Sequence, residues 1–133
     1  YVVFESPLNM LCDSPVKYRA ASECSHFIAS VPTVWDETVA LDGQVSKYIV
    51  MARRPADVWY IGALPDWESR EIELDMSFLP DGEYSVEIYH DGANADKFAS
   101  DYKRSVTQMP AEKKLKAVMA PGGGWVAKIV PIR

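Results

Sequence analysis

The feature that most constrains this chain is a change of hydrophobic period near Pro32. Residues 1–32 contain no glycine and read as helix and turn. After them, apolar and polar residues alternate, and turn residues recur at short intervals. A period of two sends successive side chains to opposite faces, which is the pattern of a half-buried strand. The clearest case is residues 70–78, with Ile72, Leu74, Met76 and Phe78 on one face and Glu71, Glu73, Asp75 and Ser77 on the other.

Carried along the chain, this reading predicts extended segments over residues 33–41, 47–53, 58–64, 70–78, 84–90, 103–109, 114–119 and 125–132. Asp42 with Gly43, Pro65 with Asp66, Asp91 with Gly92, and the runs 54–57, 80–82 and 121–124 supply the turns. About eight short strands at this spacing imply a mainly β fold, an antiparallel β-sandwich of jelly-roll or Greek-key type. A short helical segment precedes it. There Ser6 is a candidate N-cap and Pro7 suits a first helical turn. Phe4, Leu8, Met10 and Leu11 would give that helix an apolar face, and residues 13–15 would stop it, because the residue before a proline avoids the α region. A second helix is predicted over residues 22–30, capped by Ser22, with Phe27, Ile28 and Val31 buried.

Composition narrows the function classes. A net charge of −5 argues against nucleic acid as a partner, since such binders need a basic face. The longest run without a charged side chain, residues 24–35, is too short to span a bilayer. Charge is uneven: residues 33–110 hold seven basic and fifteen acidic residues, and residues 111–133 hold five basic and one acidic. Lys113, Lys114 and Lys116 read as a solvated strand end paired with acidic neighbours. The chain opens on Tyr1 in an apolar run without a basic leader, and we expect it to be a piece of something longer.

Few residues suggest chemistry. Cys12 and Cys24 read as two small buried residues; a single bridge or a reactive thiol is the alternative. Asp36 and Glu37 are adjacent, so in a strand they face apart and cannot flank one glycosidic bond. His26 and His90 have no ligand-spaced neighbours and read as structural. Residues 91–96 (Asp-Gly-Ala-Asn-Ala-Asp) resemble an oxygen-rich calcium loop, but the twelfth position is Tyr102, not glutamate. Gly122, Gly123 and Gly124 open a strand, not a helix, and read as a flexible turn instead of a phosphate cradle. Trp35, Trp67 and Trp125 lie beside turns; exposed, they would offer a flat platform for sugar rings or an interface.

Several short motifs occur in order: residues 5–15 (Glu-Ser-Pro-Leu-Asn-Met-Leu-Cys-Asp-Ser-Pro), 27–28 (Phe-Ile), 31–38 (Val-Pro-Thr-Val-Trp-Asp-Glu-Thr), 52–54 (Ala-Arg-Arg), 59–63 (Trp-Tyr-Ile-Gly-Ala), 89–92 (Tyr-His-Asp-Gly) and 120–124 (Ala-Pro-Gly-Gly-Gly). This pattern resembles the carboxy-terminal part of glycoside hydrolase family 97, over essentially the whole chain. That family contains retaining α-galactosidases and inverting α-glucosidases of Bacteroidetes, built from an N-terminal β-super-sandwich, a (β/α)8 barrel and a C-terminal β-domain. The resemblance implies that residues 1–32 are the helical remnant of the barrel's end and residues 33–133 the C-terminal all-β domain. It implies a non-catalytic domain that packs on the barrel and supports a homo-oligomer, with a carbohydrate-binding module as the alternative. A minimal enzyme using Asp36 or Glu37 is a third, weaker reading. The family's catalytic carboxylates and calcium-binding glutamates match no position here, so no cofactor is expected in this chain, and calcium is expected in the catalytic part. The partners implied are that part, further copies of the chain and an oligosaccharide; the location implied is the periplasm or cell envelope.

Overall fold

The structure, a computed structural model, describes residues 1–6 and 10–132. Among these residues two helices, α1 (Pro15–Ala20) and α2 (Ser22–Ser30), precede eight strands. These are β1 (Glu37–Gln44), β2 (Tyr48–Arg54), β3 (Trp59–Pro65), β4 (Arg70–Asp75), β5 (Tyr84–Asp91), β6 (Tyr102–Gln108), β7 (Lys114–Met119) and β8 (Trp125–Pro131). Six of them form one sheet in the order β1-β2-β3-β8-β5-β6, and β4 with β7 forms a two-stranded sheet packed on it. Every pairing is antiparallel. The expected β-sandwich preceded by short helices is therefore present.

The core lies between the two sheets. β3, at the centre of the large sheet, sends Trp59, Ile61 and Ala63 into it, and β8 adds Trp125, Ala127 and Ile129. The small sheet answers with Leu74, Leu115, Ala117 and Met119, while Met76 and Leu79 close the space after β4. The alternation of β4 and β7 follows directly. Their outward positions pair Glu71 with Lys116 at 2.6 Å and Glu73 with Lys114 at 2.5 Å. Lys113 reaches Asp81 at 3.1 Å, so the basic run is paired with acidic neighbours as the sequence suggested.

The large sheet is covered on its other face too, by the helical segment. Val2 is buried, and Val2 and Val3 sit over Gly62, where an added Cβ would come within 2.9–3.1 Å of their side chains. Phe27 of α2 packs on Tyr89 at a ring separation of 4.7 Å and edge-on to Tyr60 at 6.4 Å. The Tyr60 hydroxyl donates to the Ser30 carbonyl at 2.7 Å, and Arg53, itself buried, donates to the Val3 carbonyl at 3.2 Å. This second covered face explains why Tyr60 and Tyr89 are buried although they lie on the strand side opposite the sandwich core.

Local expectations need correction in several places: the strand expected over residues 70–78 ends at Asp75, and Phe27, Ile28 and Val31 are half-buried instead of buried. The predicted helix after Ser6 is absent from the described residues before Ser14; Pro7 and Leu8 lie outside the described residues. Residues 13–15 begin a helix and do not stop one. Ser14 caps it, accepting from the Lys17 N–H, and Pro15 occupies the first turn, where a missing N–H costs nothing. Helix α2 has the predicted bounds, but Ala21 holds the N-cap position without a side-chain bond, so Ser22 does not cap it. Strand β1 starts at Glu37, not residue 33, and runs past Asp42 and Gly43 by means of a bulge between Ala40 and Asp42. The turn moves to residues 44–47, where the Lys47 N–H donates to the Gln44 carbonyl at 2.9 Å.

Candidate functional site

The loops that looked chemically suggestive meet at one end of the sandwich. Asp91 ends β5, and the 121–124 loop leads into β8, the neighbour of β5 in the sheet. One oxygen of Asp91, Oδ2, accepts the backbone N–H of Ala120 at 2.8 Å and of Gly124 at 3.0 Å. The carboxylate lies so close to Gly123 that an added Cβ would come 1.9 Å from Oδ2. The glycines thus admit a carboxylate clasp; the Gly124 N–H is spent on the protein's own anion, and the Gly122 and Gly123 N–H groups donate to the Asp66 and Ala120 carbonyls. The adjoining loop repeats the device. Asp101 Oδ2 accepts the Asn94 backbone N–H at 2.8 Å, and Gly92 leaves no room for a Cβ, which would lie 2.2 Å from Asp101 Oδ1. These contacts give the calcium-like and phosphate-like motifs a common structural role. Among the described residues no group of three His, Cys, Asp or Glu side chains is placed to hold a metal ion.

The three tryptophans do not form a platform. Trp125 is buried in the core, which corrects its expected exposure; it faces inward because it is the first of the alternating inward positions of β8. Trp35 is half-buried beneath Arg53, whose guanidinium lies 5.7 Å from its ring, and it meets Tyr60 edge-on at 5.6 Å. Trp67 alone is open, at 86% exposure, with its six-membered ring laid against Gly122. Gly122 has φ +65°, which together with the ring makes glycine the fitting residue there. Beside Trp67, Arg70 bridges Asp66 at 3.1 Å and Glu68 at 3.0 Å, and it lies over the Tyr48 ring. Burial raises the Asp66 carboxyl, but the Glu68 backbone N–H, Arg70 and Lys47 outweigh it and hold the group below its ordinary value.

Other candidates serve the fold. Asp36 accepts the Ala56 N–H at 2.7 Å, and Glu37 pairs with Arg54 at 3.0 Å. His26 is exposed, and His90 holds its ring Nδ1 2.8 Å from the Asp91 carbonyl oxygen. Both cysteines are free; Cys12 is exposed and Cys24 only half-buried, so neither is buried as expected. An apolar groove of about 480 Å³ runs between the helical segment and the loop end of the sheet, lined by Val2, Phe27, Ile28, Tyr89, Tyr102 and Gly123 among others. Sequence reasoning missed it, because Tyr89 and Tyr102 alternate out of phase with the core positions. At its rim the Tyr102 hydroxyl donates to Glu23 at 3.0 Å. Cys24, then Glu23, push that phenol well above its ordinary value.

Residues 34–130 match the family model described as glycosyl-hydrolase 97 C-terminal, oligomerisation. The chain belongs to this family. It is 51% identical over 129 residues to a retaining α-galactosidase of Bacteroides thetaiotaomicron, covering 97% of this chain and 20% of that protein. A probable retaining α-galactosidase of Streptomyces bingchenggensis is 29% identical over 91 residues, covering 68% of this chain and 14% of that one. Among solved structures, a family 97 enzyme from a Pseudoalteromonas species, in complex with acarbose, superposes with a TM-score of 0.91 at 34% identity. That match covers 99% of this chain and 22% of the enzyme. The chain thus spans about a fifth of the length of these relatives. The match places it in the C-terminal part of that family.

Proposed function

We propose that this domain belongs to an enzyme acting on α-glycosides, with α-galactosides as the first substrates to test. In this reading residues 1–32 are the end of the catalytic barrel and residues 33–133 the C-terminal domain. The domain packs against the barrel through its helical face and supports self-association of the enzyme. The observation that carries the reading is the match of residues 34–130 to an oligomerisation domain. Exposed apolar side chains in the lead, Phe4 at 71% and Met10 at 76%, support packing against a further part of the protein. Calcium belongs with the catalytic part, and the periplasm or cell envelope is the location.

Light scattering on the eluting chain tests this. A discrete dimer or higher oligomer is expected, and a monomer at every concentration overturns the self-association. The chain alone should not hydrolyse p-nitrophenyl α-galactoside; turnover by it would overturn the non-catalytic assignment. A second reading, sugar binding, rests on Trp67 alone, an open indole laid on a glycine loop. Quenching of tryptophan fluorescence by galactosides or maltooligosaccharides, lost in Trp67→Ala, would support it, and an unchanged spectrum would remove it.

A further inference from the structure

The large sheet has two edges, and they are built differently. At one, β1 carries a bulge between Ala40 and Asp42, a device that twists an edge away from pairing. At the other, β6 runs seven residues without glycine, proline or bulge, in unbroken register from Tyr102 opposite Asp91 to Gln108 opposite Ser85. All seven of its residues are exposed, and among the described residues no further strand pairs beyond it. Such an edge presents free N–H and C=O groups to any strand of matching length.

We propose that β6 is the interface between two copies of this chain, paired antiparallel across a two-fold axis at Ser105, so that the two large sheets become one. This rests on the self-association reading above and adds its location and register. In a continuous antiparallel sheet, directly opposed residues lie on the same face. A two-fold axis must therefore pass where one residue faces its own copy. An axis at Arg104 would set that cation against itself, which is unfavourable. An axis at Val106 would leave Tyr102 and Lys103 outside the paired strand. An axis at Ser105 engages the whole strand and opposes Lys103 to Thr107, Arg104 to Val106 and Tyr102 to Gln108, without like charges facing each other. Arg104 is already oriented on that face, with its Nε 2.7 Å from Glu87 Oε1.

The register gives a test in which misfolding cannot imitate the result. Within one copy Val106 lies opposite Glu87 on β5; across the axis it lies opposite Arg104 of the other copy. Val106→Arg should therefore suit the fold and oppose association, and Val106→Glu the reverse. Sedimentation velocity over a dilution series reads the dimer constant, and urea unfolding reads the fold. Val106→Arg is expected to weaken the dimer roughly fivefold or more, and Val106→Glu to tighten it, with fold stability moving the opposite way. An oligomer unchanged by either variant would overturn the β6 interface and leave self-association standing elsewhere. Weakening by both variants alike would overturn the Ser105 axis. A chain that never associates would overturn this proposal together with the reading beneath it.

Discussion

Removing the Asp91 carboxylate should loosen the loop end of the sandwich without emptying its core. Asp91 Oδ2 takes two backbone N–H groups, at 2.8 and 3.0 Å, from residues on either side of the glycine turn. Bonds from neutral donors to a charged acceptor contribute about 1.5–3 kcal/mol each. In Asp91→Ala the orphaned N–H groups lie near the surface, where water replaces part of what is lost, so the combined cost is set at about 2–4 kcal/mol. For a domain of this length that lowers the melting temperature by roughly 10 °C. Asp91→Asn keeps an acceptor oxygen without the charge and should cost about half as much. Gly123→Ala attacks the same clasp from the other side, because its Cβ would lie 1.9 Å from Oδ2, and overpacking of this kind costs about 1–3 kcal/mol. In the double variant the clash disappears with the carboxylate, so the two effects should fall short of additivity by about 1 kcal/mol or more. Urea titrations of the four proteins, with circular dichroism as the probe, measure each value. If Asp91→Ala and Asp91→Asn both unfold at the midpoint of the unmodified chain, the clasp contributes nothing and the argument fails.

Ile61, fully buried at the centre of the core, should lose about 2–5 kcal/mol on Ile61→Ala, read as a lower urea midpoint. Gly62→Ala should cost about 1–3 kcal/mol by driving Val2 and Val3 off the sheet, and faster amide exchange in residues 1–6 would accompany it. On the acid side, the Ser77 backbone N–H holds the Asp75 carboxyl below 3.8, as the Glu68 N–H and Arg70 do for Asp66 against the opposing effect of burial. A depressed folded pKa stabilises above the unfolded value and loses that stabilisation as pH falls through the folded one, so melting temperatures should drop below about pH 4, less steeply in Asp75→Asn. On the alkaline side, burial and then the Glu87 carboxylate push Tyr89 up to about 12. Its stabilisation is complete below pH 10 and is lost as pH rises toward 12, so Tyr89→Phe should flatten that decline in thermal melts.

Strand positions were legible where one face of a strand meets the core between the sheets and the other meets water or charge. Residues 114–119 show this without exception, alternating exposed and buried from Lys114 to Met119. Legibility failed where a second layer covers the large sheet. Tyr89 follows Ile88 directly, yet it is the more buried of the two, because Phe27 lies over it from 62 residues away in sequence. No local period carries that information. The same limit explains Trp125: its neighbouring glycines suggest a surface turn, while the pleat of β8 turns the ring inward. The acidic and glycine-rich loops misled in the opposite way. Each looked like half of an ion site, and only the sheet order β3-β8-β5 brings Asp91 against Gly123 so that the two halves satisfy each other.

The change of period at Pro32 marks a boundary in local structure but not in packing. Val2 over Gly62, Phe27 over Tyr89, Ser30 on Tyr60 and Glu23 on Tyr102 join the lead to four places on the large sheet. A sheet with one face on a core and the other on helices must bury residues on both faces of its central strand, and β3 has Trp59 through Ala63 all buried. With both faces of the large sheet covered, its backbone is open to other molecules along its edges. Of its two edges, β1 is bulged and β6 is straight, and the difference assigns them separate tasks: one resists pairing, the other invites it.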